Sequence, residues 1–216
     1  MRPNNKRPWE RHTQRASRQG NTERRRVLIV CEDSKSSRFY FEGFPVNRER
    51  AVVKAVGTGM NTDSLVEEAV GLQDHATKQG APFSHVWCVF DRDDFPKGQY
   101  VRAFQLAKSH RFEIAWSNEA FELWYLLHFQ YCDSGISRTE FPIRLTKHMG
   151  IKYEKSNKQI YSRLRERQAT AIRNARNLLK ALRARGALPV QNANPSTNVH
   201  QLVEFLNELC ELGPVQ

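Results

Sequence analysis

Short runs of consecutive apolar residues alternate with stretches whose apolar positions recur every three or four residues. Val27-Leu28-Ile29-Val30-Cys31 is apolar throughout, as expected of a strand buried on both faces. Ala51–Val56, Val86–Phe90 and Phe112–Trp116 repeat the pattern. Between them, Ser34–Gly43 reads as a short helix. Thr62 opens a second, with Leu65, Val66, Ala69, Val70 and Leu72 on one stripe and its end before Gly80. Tyr100–His110 and Glu119–Phe129 read as a third and a fourth. The order β-α-β-α-β-α-β-α, with strands almost wholly apolar, predicts an α/β fold. A doubly wound, mainly parallel sheet with helices on both faces is expected.

Beyond residue 129 the helical period dominates. Phe141–His148 reads as a short helix. From Gln159 to Arg185 a single stripe (Ile160, Leu164, Ala171, Ile172, Ala175, Leu178, Leu179, Leu182) predicts one long helix stopped by Gly186 and Pro189. Thr197 is placed to cap a last helix carrying Val199, Leu202, Val203, Phe205, Leu206 and Leu209. Three parts follow: a polar arm over 1–23, an α/β core over 24–129, and a helical extension over 130–216 that packs on the core.

Charge adds a partner class. The chain of 216 residues carries a formal net charge of +11. Residues 1–26 hold nine Lys/Arg against two acids, and residues 158–185 hold nine against Glu166 alone. Two basic segments flanking a nearly balanced core point to a polyanion, nucleic acid first. Arg24, Arg25, Arg26, Arg173 and Arg176 are the candidate contacts from these segments, and Trp9 on the arm is the best placed ring for base stacking. No apolar run approaches the ~20 residues of a membrane helix, and the basic N-terminus lacks the apolar segment of a signal peptide. Cys31, Cys88, Cys132 and Cys210 are widely spaced with no C-x-x-C pair, which favours reduced thiols in a cytoplasm over a zinc site or disulfides.

The residues that follow the strands carry the candidate chemistry, because ligands of open parallel sheets gather at the carboxyl ends of strands. Glu32 and Asp33 follow the first. Asp91-Arg92-Asp93-Asp94 follows the third. Ser117, Asn118, Glu119 and Glu122 follow the fourth. Carboxylates converging on one rim repel each other until they take up protons or a cation. Hard divalent ions, Mg²⁺ or Mn²⁺, prefer such oxygen ligands. A carboxylate-held divalent ion beside basic surfaces is the equipment of phosphoryl-transfer chemistry. Lys35, Lys97 and Lys155 are the nearby cations suited to phosphate. Glu119 is expected to cap the fourth helix, and His128 reads as a hydrogen-bonded core histidine. Trp87, Trp116 and Trp124 read as core.

Two motifs, a strand ending in Glu (VLIVCE) and a strand ending in D-x-D with a downstream Gly98 (VFDRDDFPKG), resemble the Toprim fold of topoisomerases, primases and related nucleases. CEDSKSSRFYFEGF, VWCVFDRDD, IAWSNEAFELWYLLHF and NPSTNVHQLVEFL are together similar to the RloB-like family, Toprim-related proteins encoded near restriction and anti-phage loci. The resemblance spans roughly residues 24–210. It implies a Toprim-like core with Glu32 as metal ligand or general base, and with Asp91 and Asp93 as Mg²⁺ ligands. Glu122 is a further candidate ligand. Such families usually place Gly after the first Glu; here Asp33 stands there, which either prevents close backbone contact with phosphate or adds a ligand.

The resemblance implies a metal-dependent endonuclease in prokaryotic anti-phage defence, with catalytic residues Glu32, Asp91 and Asp93. The alternative is a non-catalytic subunit that senses nucleic acid or nucleotide and acts with a partner ATPase. Topoisomerase or primase activity would require elements for which 216 residues leave little room. DNA and RNA remain equally open as targets, as does self-association into a homo-oligomer.

Overall fold

The structure is a computed structural model that describes residues 26–46, 51–55, 62–92 and 97–211. The arm over 1–23, with Trp9, lies outside the described residues, as do Arg24, Arg25, Asp93, Asp94 and the side chain of Lys97.

The four apolar runs are strands: β1 (Val27–Cys31), β2 (Ala51–Ala55), β3 (His85–Asp91) and β4 (Glu113–Asn118). Between them lie α1 (Ser36–Glu42), α2 (Thr62–Lys78) and α3 (Lys97–Ser109). The sheet has five strands in the order β2-β1-β3-β4-β5, and the first four are parallel. The chain leaves β1 in one direction to form β2, then crosses back to form β3 on the other side. β1 and β3 therefore flank the point where the strand order reverses, and it is at the strands' carboxyl ends beside such a point that ligands of open α/β sheets bind.

Alternation within the strands divides the core into two layers. Val27, Ile29 and Cys31 of β1 join Trp87 and Val89 of β3 on one face. There they meet Tyr40 and Phe41 of α1 and the helices of the C-terminal part. Leu28 and Val30 join Val86, Cys88 and Phe90 on the other face, against Leu65, Val66 and Ala69 of α2 and Tyr100, Ala103 and Ala107 of α3. A strand apolar at every position is the consequence of covering both faces.

The C-terminal part comprises α4 (Glu122–Leu126), α5 (Glu140–Met149), α6 (Ile160–Leu164), α7 (Gln168–Ala184) and α8 (Val199–Glu211). The single helix expected over 159–185 is two helices, broken by a 3₁₀ turn at Arg165–Arg167. The reason is that its apolar stripe serves two neighbours. α6 packs on α1 and α7 packs on α4 and α8, so no one axis satisfies both. At the α1–α6 contact a Cβ on Gly43 would overlap the Tyr161 side chain, so the approach requires glycine.

The sequence pattern also lacked a fifth strand. Ser196–Thr197 forms β5, antiparallel to β4 at Asn118 and Ser117. Thr197 Oγ1 does accept from the Val199 backbone at 3.2 Å, as a cap should. Next to it, the buried Asn198 side chain continues where the two-residue strand stops. Its Oδ1 accepts from Trp116 N at 2.7 Å, and its Nδ2 donates to Ile114 O at 2.7 Å. One amide thus seals the donor and acceptor of an edge strand. Among the described residues no helix is long and apolar enough to cross a membrane.

Asn198→Ala leaves a buried N–H and a buried C=O of β4 without partners, so the fold should lose about 2–3 kcal/mol. In urea unfolding the midpoint falls at unchanged slope. A midpoint within error of wild type would show that Asn198 does not close this edge.

Candidate active site

Glu32 is the first residue past β1, and its backbone N–H still donates to Val89 O of β3 at 2.9 Å. Asp91 is the last residue of β3 and donates its own N–H to Glu32 Oε2 at 3.2 Å. Parallel pairing puts Cys31 opposite Val89, so Glu32 falls one residue short of Asp91 at the same end of the sheet, near enough for its side chain to reach the Asp91 backbone. Ser117 of β4 is level with Asp91 on the far side.

Both carboxyls are held above their ordinary range. Burial raises Glu32 from 4.5 to about 7, opposed by the Asp91 N–H and by the Arg138 charge, while Asp33 adds a small upward push. Asp91 lies well above the usual carboxylate range, first by burial, then through the charges of Glu122 and Glu32. Arg138 and a hydrogen bond from the Phe121 backbone oppose that rise. The third carboxylate, Glu122, opens α4 and is buried. Its Oε1 accepts from Ser36 Oγ at 2.9 Å and from Tyr153 OH at 2.8 Å, and pairs with Lys155 Nζ at 3.3 Å. Tyr125 OH donates to Ser36 O at 2.8 Å and braces the same corner. The residues that satisfy Glu122 thus come from α1 and from the loop between α5 and α6.

Asp33 has another task. Its Oδ1 accepts from Lys35 N at 2.9 Å and its Oδ2 from Ser36 N at 2.7 Å. Both oxygens are engaged at the entry to α1, so Asp33 fixes the turn that presents Glu32. Arg92 turns to the other face, with its guanidinium 4.5 Å from the centre of the Tyr100 ring.

The remaining expected residues are scattered. Lys35 is exposed at the entry to α1, and Lys155 is on the rim, half exposed. Arg26 precedes β1, at the opposite end of the sheet from Glu32. Its guanidinium donates to Ala81 O and lies 4.7 Å from the Phe83 ring centre. Arg173 is exposed on α7 and Arg176 is paired with Glu204 of α8. Neither is brought to the carboxylate rim by any contact described above. Glu119 does not cap α4: its Oε2 accepts from Arg138 N at 3.0 Å, because the chain turns between Glu119 and α4 and leaves the carboxylate facing the next loop. His128 is a core histidine. It is fully buried, with Nδ1 2.9 Å from Trp124 O, and burial lowers its pKa to about 4. Trp87 and Trp124 are buried and Trp116 half buried.

Sequence reasoning missed Ser36, Tyr153 and Arg138. The Ser and Tyr resemble any others in a polar loop, and only their reach to Glu122 distinguishes them. Arg138 was hidden in a loop far in sequence from every strand end.

Among the described residues no three His, Cys, Asp or Glu side chains are grouped closely enough to hold one metal ion. The donor chemistry still suits a hard divalent cation. Two half-buried carboxylates that repel each other are relieved by a positive ion. Glu32 and Asp91 would hold it, with Glu122 beside them and Asp93 outside the described residues.

Without metal this rim carries a stability cost whose sign is set by the raised values. Below pH 4.5 Glu32 is protonated in both folded and unfolded chains. Between 4.5 and about 7 the unfolded chain ionises first, so stability falls as pH rises through that window. In EDTA, the melting temperature should therefore drop from pH 5 to pH 7.5. Asp91→Asn, which removes the charge, should melt higher than wild type at pH 7.5, by about 2–4 °C for each kcal/mol relieved. Excess Mg²⁺ or Mn²⁺ should raise the wild type and leave the variant unmoved. An Asp91→Asn chain that melts lower in EDTA would show that its charge is not strained.

Comparison with known proteins matches residues 27–206 to the family model described as RloB-like protein. No curated protein matches the chain. The matched span runs from the first residue of β1 into α8 and contains Glu32, Asp91, Glu122 and the loop that carries Lys155. The chain belongs to the RloB-like family.

Proposed function

We propose that this RloB-like protein is a metal-dependent nuclease of Toprim type that hydrolyses phosphodiester bonds in nucleic acid. One observation supports the reading: Glu32 and Asp91, half-buried at the carboxyl ends of adjacent parallel strands, are joined by the bond from the Asp91 N–H to the Glu32 carboxylate, with the Glu122 charge acting on Asp91. A divalent ion held there would stabilise the charge that gathers on the phosphate and ease ionisation of the attacking water.

The protein's own groups do the rest. Asp91, which accepts from the Phe121 backbone, would supply one ligand oxygen, and Asp93, two residues on in the D-x-D, would supply the second. Glu32 serves as a ligand, or takes the proton of the attacking water as the water oxygen bonds to phosphorus. The phosphorus–oxygen bond to one nucleoside breaks, and the departing oxygen takes a proton from solvent. Lys155, half exposed beside Glu122, and Lys35 offer charge to the phosphates flanking the scissile one. The basic segments would supply the wider contact, with an affinity that falls steeply with salt. The anti-phage setting rests on the resemblance to the family, the cytoplasmic location on the widely spaced cysteines, and a partner ATPase belongs to the alternative, non-catalytic reading.

The full chain is incubated with plasmid, single-stranded DNA, transfer RNA and ribosomal RNA in Mg²⁺ or Mn²⁺. Cleavage should appear with one substrate class, vanish in EDTA, and fall at least ~10³-fold in Glu32→Gln and in Asp91→Asn/Asp93→Asn. Cleavage that survives the double variant would overturn the reading. No cleavage, together with nucleic-acid binding that the double variant leaves unchanged, would instead establish the non-catalytic binding subunit.

A further inference from the structure

We propose that Arg138 grips the scissile phosphate, the anionic centre that the carboxylate rim must hold but cannot itself attract; this rests on reading that rim as a phosphodiester-cleaving site.

The turn that follows β4 brings the two groups together. Ser117 of β4 is level with Asp91, and residues 118–121 lead from there into α4. That one turn holds two groups. The Phe121 N–H donates to the Asp91 carboxylate. Glu119, two residues earlier, holds Arg138 twice: its Oε2 accepts from the Arg138 backbone at 3.0 Å, and its carbonyl accepts from Arg138 Nη2 at 3.3 Å. A cation from a loop remote in sequence is thus moored to the same four residues as the ligand carboxylate. Arg138 is exposed, so it is within reach of a ligand from solvent. Its charge acts on Glu32 and Asp91 alike.

The residue type fits the task. A guanidinium is a planar fork matched to two phosphate oxygens, and it stays charged at any working pH. Phosphate approaching a rim of three carboxylates meets repulsion, and a tethered arginine lowers that barrier most as charge grows in the transition state.

This role separates from a merely structural one by the sign of its effect on metal. A cation beside two ligand carboxylates opposes binding of a second cation. If Arg138 serves the phosphate, removing it should leave Mn²⁺ binding unchanged or tighter while cleavage collapses. If it only braces the carboxylates, removing it should weaken Mn²⁺ binding and cleavage together. The main-chain bond to Glu119 survives substitution, so Arg138→Ala keeps the loop's mooring.

The experiment compares the full-length wild type, Arg138→Ala and Arg138→Lys. Mn²⁺ affinity is read by calorimetry. Affinity for an end-labelled oligonucleotide of the cleaved class is read in Ca²⁺, and cleavage in Mg²⁺. Arg138→Ala should keep or gain Mn²⁺ affinity, lose oligonucleotide affinity, and cleave about 10²-fold more slowly. Arg138→Lys should recover affinity more than rate, because it returns charge without the fork. Oligonucleotide affinity and cleavage within threefold of wild type, or Mn²⁺ affinity lost in parallel with cleavage, would overturn the assignment. The parent reading is judged on the wild type alone. If the wild type cleaves and Arg138→Ala cleaves equally, only this inference fails. A wild type that neither binds Mn²⁺ nor cleaves overturns both.

Discussion

The arrangement depends on one electrostatic constraint: like charges confined at the carboxyl ends of buried strands. β1 and β3 are apolar at nearly every position because both faces of the sheet are covered, so Glu32, just past β1, and Asp91, the last residue of β3, emerge one residue apart at the same end of the sheet. In water two such carboxylates would separate; here parallel pairing sets their spacing and burial withdraws the solvent that would screen them. Every neighbouring feature answers that strain. The Asp91 N–H supports Glu32, the Phe121 N–H supports Asp91, and Ser36, Tyr153 and Lys155 support Glu122. A fold under no demand for charge at this place would put apolar or neutral residues there.

The C-terminal part is tied into this constraint rather than appended to the sheet. β5 extends the sheet, Asn198 closes its edge, and α8 covers the face that α1 and α4 share. The loop between α5 and α6 delivers Tyr153 and Lys155 to a carboxylate at the start of α4. Loss of packing in the C-terminal part therefore reaches the carboxylate rim directly, through Glu122, as well as through stability.

Asp33 illustrates how a local departure is accommodated. Where the Toprim resemblance leads one to expect glycine, this chain has a residue whose two carboxylate oxygens both accept from the first N–H groups of the turn into α1. The rigidity of that turn comes from side-chain hydrogen bonds rather than from backbone freedom. Glu32 is still presented at the rim.

Much of this was legible in the chain itself. Continuous apolar runs identify strands covered on both sides, since no other environment tolerates them. Alternation with helical segments dictates a parallel sheet, and hence which residues end strands: Glu32 and Asp91 follow from local pattern alone. The nature of Glu122, the break between α6 and α7, the two-residue β5 and the role of Glu119 were decided only in three dimensions. The apolar stripe over 159–185 is continuous in sequence because period reports burial without naming the partner, and two partners required two axes. β5 is too short to show a period at all, and it exists because Asn198 and Thr197 complete an edge presented by β4. Tyr153, Lys155 and Arg138 reach the rim across long intervals of sequence, through hydrogen bonds to Glu122 and Glu119 that no spacing encodes. Local hydrophobic period determined the sheet and two of its acids; the pairing of polar groups from distant segments, set by where packing happened to bring them, decided the rest.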